Sequence, residues 1–190
     1  TFVWNKRMST KAGMLRVVFG LGTRAVERAE YDYPRLVALD TPLLRPQVGL
    51  HDIKKYSQQS VDVLNVKDNS LQTLSLNSLM KKELLIDMRL VGVRDHEAEK
   101  GLLGIGVNEE CWVLTFDEIL SNTSLVSIMK SMLKKLEEAY DYPVDIEFTV
   151  NLAKNNSLQI NLLQCRPLQT RGRSTRVVIP DNISKEKIVV

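Results

Sequence analysis

Three side chains in the last third of the sequence could together hold a phosphate-bearing ligand: Glu147, Gln164 and Arg166. A carboxylate and an amide oxygen are hard donors that suit Mg²⁺, an ion that keeps several waters and shares substrate phosphates. A guanidinium beside them can grip phosphate oxygens with its planar fork. Phosphoryl transfer asks little more of a protein than such positioning and charge neutralisation. Spacing alone is unspecific, because acids and arginines on solvated strands are common. A second candidate lies near the start. Gly20-x-Gly22-x-x-Ala25 follows an apolar run at 14–19, and Asp40 ends the next apolar run. That pattern fits a dinucleotide fingerprint, in which glycines let the backbone approach a pyrophosphate and an acid receives the ribose hydroxyl.

The elements that must position these groups are partly legible. Val144, Ile146, Phe148 and Val150 alternate with Asp145, Glu147 and Thr149, which predicts a strand with one apolar and one polar face. Residues 154–157, Lys-Asn-Asn-Ser, read as a turn, and 158–167 as the returning strand, with Leu158, Ile160, Leu162, Gln164 and Arg166 on one face. Ahead of this hairpin, Leu125, Ile128, Met129, Met132, Leu133, Leu136 and Tyr140 recur at three and four. They predict an amphipathic helix over 123–140, capped by Asn122 or Thr123 and ended before Pro143, whose stripe is core.

Upstream, strands at 14–19 and 36–39 flank a short helix over 23–30, and Pro42 and Pro46 bracket a loop. Val61, Val63 and Leu64, then Leu71, Leu74 and Leu76, read as strands around a turn at Asp68-Asn69-Ser70. Residues 81–89 fit strand or helix. Arg94-Asp95-His96-Glu97 reads as a solvated polar run, and a second glycine cluster, 101–106, precedes an apolar run at 111–114. The helix after Gly22 has little room before Pro34, short for a parallel crossover, and no βαβα alternation follows. A plain strand–turn–helix is therefore the stronger reading of the first candidate.

The 190 residues carry a net charge of +3 and are 44% hydrophobic, an ordinary composition for a chain that buries a core. So small a surplus of positive charge gives no footprint for nucleic-acid binding, and no apolar run is long enough for a membrane span. Two cysteines, Cys111 and Cys165, suit free thiols in a reducing cytoplasm, and His51 and His96 make no metal pair by spacing. The sequence starts at Thr1 without Met or an apolar leader and reads like a chain cut from something longer.

The segment Glu138-Ala-Tyr-Asp-Tyr-Pro-Val-Asp-Ile-Glu-Phe148, followed by Leu162-Leu-Gln-Cys-Arg-Pro-Leu168, resembles the end of the nucleotide-binding domain of phosphoenolpyruvate synthases and pyruvate phosphate dikinases. Those enzymes carry a Pro-x-Asp-Ile-Glu strand and a Leu-Gln-x-Arg-Pro strand. Val18-Phe-Gly-Leu-Gly-Thr-Arg-Ala-Val26 is similar to the family's Gly-Leu-Gly segment, and Val113-Leu-Thr-Phe-Asp117 resembles a subgroup of synthase-like proteins. The resemblance implies an α+β ATP-grasp lobe, mostly antiparallel sheet packed with helices. It also implies Mg-ATP as ligand, with Glu147 and Gln164 on the metal and nucleotide and Arg166 on phosphate.

By the same resemblance, residues 1–176 are a fragment of the ATP-grasp domain, its C-terminal lobe, and 177–190 are a linker towards a following domain. In the parent, ATP would phosphorylate a histidine on a mobile domain, which relays the group to pyruvate in the cytoplasm. The partners implied are the N-terminal ATP-grasp lobe and the phosphohistidine domain of the same polypeptide. Two departures stand out: Thr23 replaces the glutamate usual after Gly-Leu-Gly, and the turn between the two matching strands is longer. They keep open a non-catalytic interaction or regulatory module. A dinucleotide-binding oxidoreductase fragment is the third reading.

Overall fold

Short runs of alternating apolar residues, separated by turn formers, make four antiparallel ladders. The structure is a computed structural model that describes residues 8–9, 11–26, 31–82, 84, 86–152 and 157–169. In it β1 (Met14–Val17) pairs with β2 (Arg35–Ala38), and β3 (Ser60–Asn65) with β4 (Ser70–Ser75). β5 (Gly92–Arg94) pairs with β6 (Trp112–Leu114), and β7 (Val144–Leu152) with β8 (Leu158–Pro167). Among the described residues each ladder has two strands and no strand joins two ladders. Helices α1 (Thr23–Val26), α2 (Gly49–Lys55), α3 (Leu76–Met80), α4 (His96–Gly104), α5 (Asp117–Ser121) and α6 (Leu125–Tyr140) fill the intervals. The α+β class and its antiparallel pairing are as the sequence implies.

One apolar cluster ties the ladders together. Val37 and Leu39 from the first ladder region, Val61 from β3, Leu114 from β6, and Leu125 and Met129 from α6 are its most enclosed members. Each such side chain contributes about 1.5–3 kcal/mol by leaving water. The expected α6 stripe is core at Leu125 and Met129, while Ile128 and Tyr140 are exposed. The helix starts two residues later than the spacing predicts. Thr123 is not its cap but bridges from α5, donating to the Ile119 carbonyl at 2.5 Å and accepting from the Leu125 N–H at 3.2 Å.

Other differences have local causes. Leu76, read as strand, opens α3 because the Ser75 hydroxyl accepts from the Ser78 N–H at 3.1 Å and caps a helix there. The polar run at 94–97 is the entry to α4, with Asp95 as its cap, and the second glycine cluster lies on the end of that helix. The described residues among 81–89 are mostly irregular, and a 3₁₀ turn follows at Met88–Leu90. The end of the 23–30 helix, the 154–156 part of the hairpin turn, the 176/177 boundary and the linker over 177–190 lie outside the described residues.

Candidate functional site

The hairpin is built by its neighbours in sequence. Asp141, in a left-handed conformation (φ 49°), ends α6, and Pro143 starts the extended chain. The Leu168 N–H donates to the Pro143 carbonyl at 2.7 Å and closes the ladder at that end. Ile146, Phe148, Val150, Leu158 and Ile160 pack against the core, so the opposite face of the ladder is left to polar groups.

Register decides which groups those are. Glu147 lies directly opposite Gln164, and Asp145 opposite Arg166, but Phe148 faces Leu162, so Leu163 has no partner across the ladder. Strict alternation from Leu158 would carry Gln164 and Arg166 onto the face of Ile160 and Leu162. The β-bulge at Leu163 reverses that parity and sets both beside Glu147 and Asp145. The single-face reading of Leu158, Ile160, Leu162, Gln164 and Arg166 is thus corrected: the first three share one face and the last two the other. The exposed Leu163 is what the bulge leaves over.

The resulting row is open to water. Arg166 Nη2 and Nε donate to one oxygen of Asp145, at 2.9 and 3.1 Å. That hydrogen bond raises the Arg166 pKa, with the charges of Asp145 and Glu147 adding to it. Asp145 is the residue the functional reading missed. Its signal was available, since it precedes Glu147 by two and shares its face. One carboxylate and one amide oxygen stand opposite each other, with a guanidinium and a second carboxylate one pair further along. Chemically this set suits an oxygen-liganded cation and a polyphosphate.

The glycine loop does different work. The first two strands are antiparallel, whereas a dinucleotide site of the fingerprint type needs parallel strands joined by a crossover helix. The dinucleotide reading is therefore corrected. Asp40 instead accepts the Ser9 N–H at 2.6 Å. Gly20 sits at φ +91° with its α-carbon so close to β3 that an added Cβ would meet Val61 Cγ1 at 2.5 Å and the Asp62 carbonyl oxygen at 2.7 Å. The loop is laced to β3 by Leu21 N–H on the Asp62 carbonyl at 2.9 Å, and by Gln58, which accepts from Phe19 N–H at 2.7 Å and donates to its carbonyl at 2.9 Å.

Asp62 is the hub of this contact and is buried. It accepts from the Thr23 and Thr73 hydroxyls, each at 2.6 Å, and lies 3.2 Å from Arg24 Nε. The two hydroxyl bonds hold its carboxyl below the usual range, and the Arg24 guanidinium adds to the effect. Arg24 also pairs with Asp32 at 2.6 Å. Thr23, at the position where a glutamate was expected, is thereby committed to holding the loop.

Among the described residues no group of three or more His, Cys, Asp or Glu side chains could hold a metal, and no helix is long and apolar enough to cross a membrane. The sequence matches the family model described as pyruvate phosphate dikinase, AMP/ATP-binding domain, over residues 2–187, and the chain belongs to that family of ATP-binding domains. No curated protein and no solved structure matches it.

Proposed function

We propose that this chain supplies a Mg-ATP phosphate grip in a phosphotransferase of the synthase or dikinase type, with Glu147 and Gln164 facing the cation and Arg166 the phosphates. The observation that carries the reading is the bulged register. It places Gln164 across from Glu147, where directly opposed side chains have Cβ atoms ~4.5–5.5 Å apart. Two oxygen donors suffice for Mg²⁺, which takes few protein groups and completes its shell with water and phosphate. When bound, the cation neutralises phosphate charge. Glu147 and Gln164 hold their oxygens towards it, and Arg166 presents its fork along the same face. The exposed pair between Arg166 and Asp145 is screened by water, so a phosphate can draw the guanidinium away at little cost.

In this reading residues 1–176 form the C-terminal lobe of an ATP-grasp domain and 177–190 lead towards another domain. An N-terminal lobe completes the clamp, a histidine on a mobile phosphohistidine domain accepts the phosphoryl group, pyruvate receives it in turn, and the reaction runs in the cytoplasm. A second reading, an ATP-binding regulatory module without chemistry, draws on the commitment of Thr23 and Arg24 to Asp62.

Titration calorimetry with Mg-ATP on the full-length protein, beside an assay of acid-labile phosphate incorporation, tests both. Charge-assisted bonds of ~1.5–3 kcal/mol predict that Glu147→Ala and Arg166→Ala each weaken binding about 10- to 150-fold. Phosphate incorporation is lost with them. Near-normal binding in both variants removes the hairpin from the site, whereas tight Mg-ATP binding by the unaltered protein without incorporation selects the regulatory reading.

A further inference from the structure

Helix α4 is attached without burying any of its residues. Its polar ties gather at its first turn. The Asp95 cap accepts from Ala98 N–H at 3.0 Å through one oxygen and from Lys54 Nζ, on α2, at 2.7 Å through the other. Glu99 accepts from Arg94 Nε at 2.8 Å and from the Cys111 N–H at 3.1 Å, and meets His96 Nδ1 at 2.9 Å. Arg94 also reaches Glu110 at 3.3 Å.

The other end of the helix has no comparable hold. Leu103 and Ile105 are 63% and 75% exposed. Gly101 and Gly104 lie within the helix, and a Cβ on either would meet nothing within 4 Å, so no packing requires the glycines that weaken it. The turn closes on Gly106 (φ +83°), whose N–H donates to the Leu103 carbonyl at 3.0 Å, while Val107 N–H donates to the Leu102 carbonyl at 2.9 Å. The buried Cys111 lies among the groups that tie the helix down. Burial raises its thiol pKa first, followed by the charge of Glu99.

We propose that α4 is a flap that opens locally against an ion-pair latch at Asp95 and Glu99, uncovering Cys111. Low intrinsic helicity and the lack of any fully buried apolar side chain, with Ala98 and Leu102 only half-buried, place α4 among the less protected segments of the fold, and the latch is its main polar hold. Charge at the latch makes the closed state sensitive to salt, which screens the exposed Arg94 and Lys54 partners.

The test is iodoacetamide labelling of the full-length protein, read cysteine by cysteine by mass spectrometry and corrected for each variant's thiolate fraction. Amide exchange in α4 and α6 is followed in parallel. Gly101→Ala and Gly104→Ala should each slow labelling of Cys111 about fivefold by raising helix propensity, with Cys165 unaffected. Glu99→Gln, Lys54→Met and high salt should speed it, with the α6 amides unchanged. The proposal fails if the alanine variants leave the Cys111 rate unaltered, or if Cys111 reacts only as fast as the α6 amides exchange, which is the signature of global unfolding. Because the alanine variants strengthen a helix in open space, the test holds whether or not the latch variants fold.

Discussion

Gly20→Ala is the sharpest test of how the glycine loop is seated, because the neighbouring Gly22 provides its control. At Gly20 two costs add. A non-glycine residue at φ +91° pays roughly 1–2 kcal/mol in backbone strain. The new methyl would also lie 2.5 Å from Val61 Cγ1 and 2.7 Å from the Asp62 carbonyl oxygen. Overpacking of this kind costs about 1–3 kcal/mol when the neighbours must shift. Val61 is completely enclosed and the Asp62 carbonyl already receives the Leu21 N–H, so neither can yield without loss. The total is about 2–5 kcal/mol, which for a chain of this length lowers the melting temperature by roughly 4–20 °C. At Gly22 an added Cβ meets nothing within 4 Å and φ is not positive, so Gly22→Ala should leave stability unchanged or raise it by up to about 1 kcal/mol. Urea unfolding of the two variants beside the parent measures the difference directly. Equal stability of the two variants, or a Gly20→Ala loss below about 0.5 kcal/mol, would refute the close approach of the loop to β3.

Two further outcomes follow from the core and the carboxylates. Met129→Ala, at the completely enclosed centre of α6, should cost about 2–5 kcal/mol in chemical unfolding, and a loss under 1 kcal/mol would place α6 away from the core. The Glu99 carboxyl is held down to about 2, chiefly by its hydrogen bond from Arg94, and Asp62 is also depressed. A depressed acid stabilises the fold above its unfolded pKa and loses that contribution as protons bind. Unfolding followed by circular dichroism should therefore show stability falling as pH drops from about 4.5 towards 2, and Glu99→Gln should flatten that fall. An unchanged slope in the variant counts against the Glu99 network.

What could be read from the sequence depended on the length and regularity of each pattern. Sixteen residues of α6 repeat one stripe, so its existence is plain, and only its start moved when Thr123 was drawn towards Ile119. The β7 alternation is equally clear. On β8 the same rule misassigned the faces of Gln164 and Arg166, because a bulge changes parity without leaving a mark in the residue types. Helix α2 spans seven residues and α4 carries two internal glycines, so neither presents a stripe that periodicity can detect. The fingerprint at Gly20 misled for a related reason. Glycines report that a backbone comes close to something, and here that something is β3 rather than a pyrophosphate.

The division into four two-stranded ladders also bears on self-association. A strand with an unpaired edge can recruit another chain unless it is short, bent or guarded by charge. The first and third ladders have strands of only three or four residues, β3 turns the buried Asp62 inward, β7 carries Asp145 and Glu147, and β8 is broken by its bulge. The remaining long strand is β4, Ser-Leu-Gln-Thr-Leu-Ser, which has neither charge nor proline and exposes Leu71. Its outer edge, unpaired among the described residues, is the least defended of the eight strands, and there a stray extended segment would find a ready template.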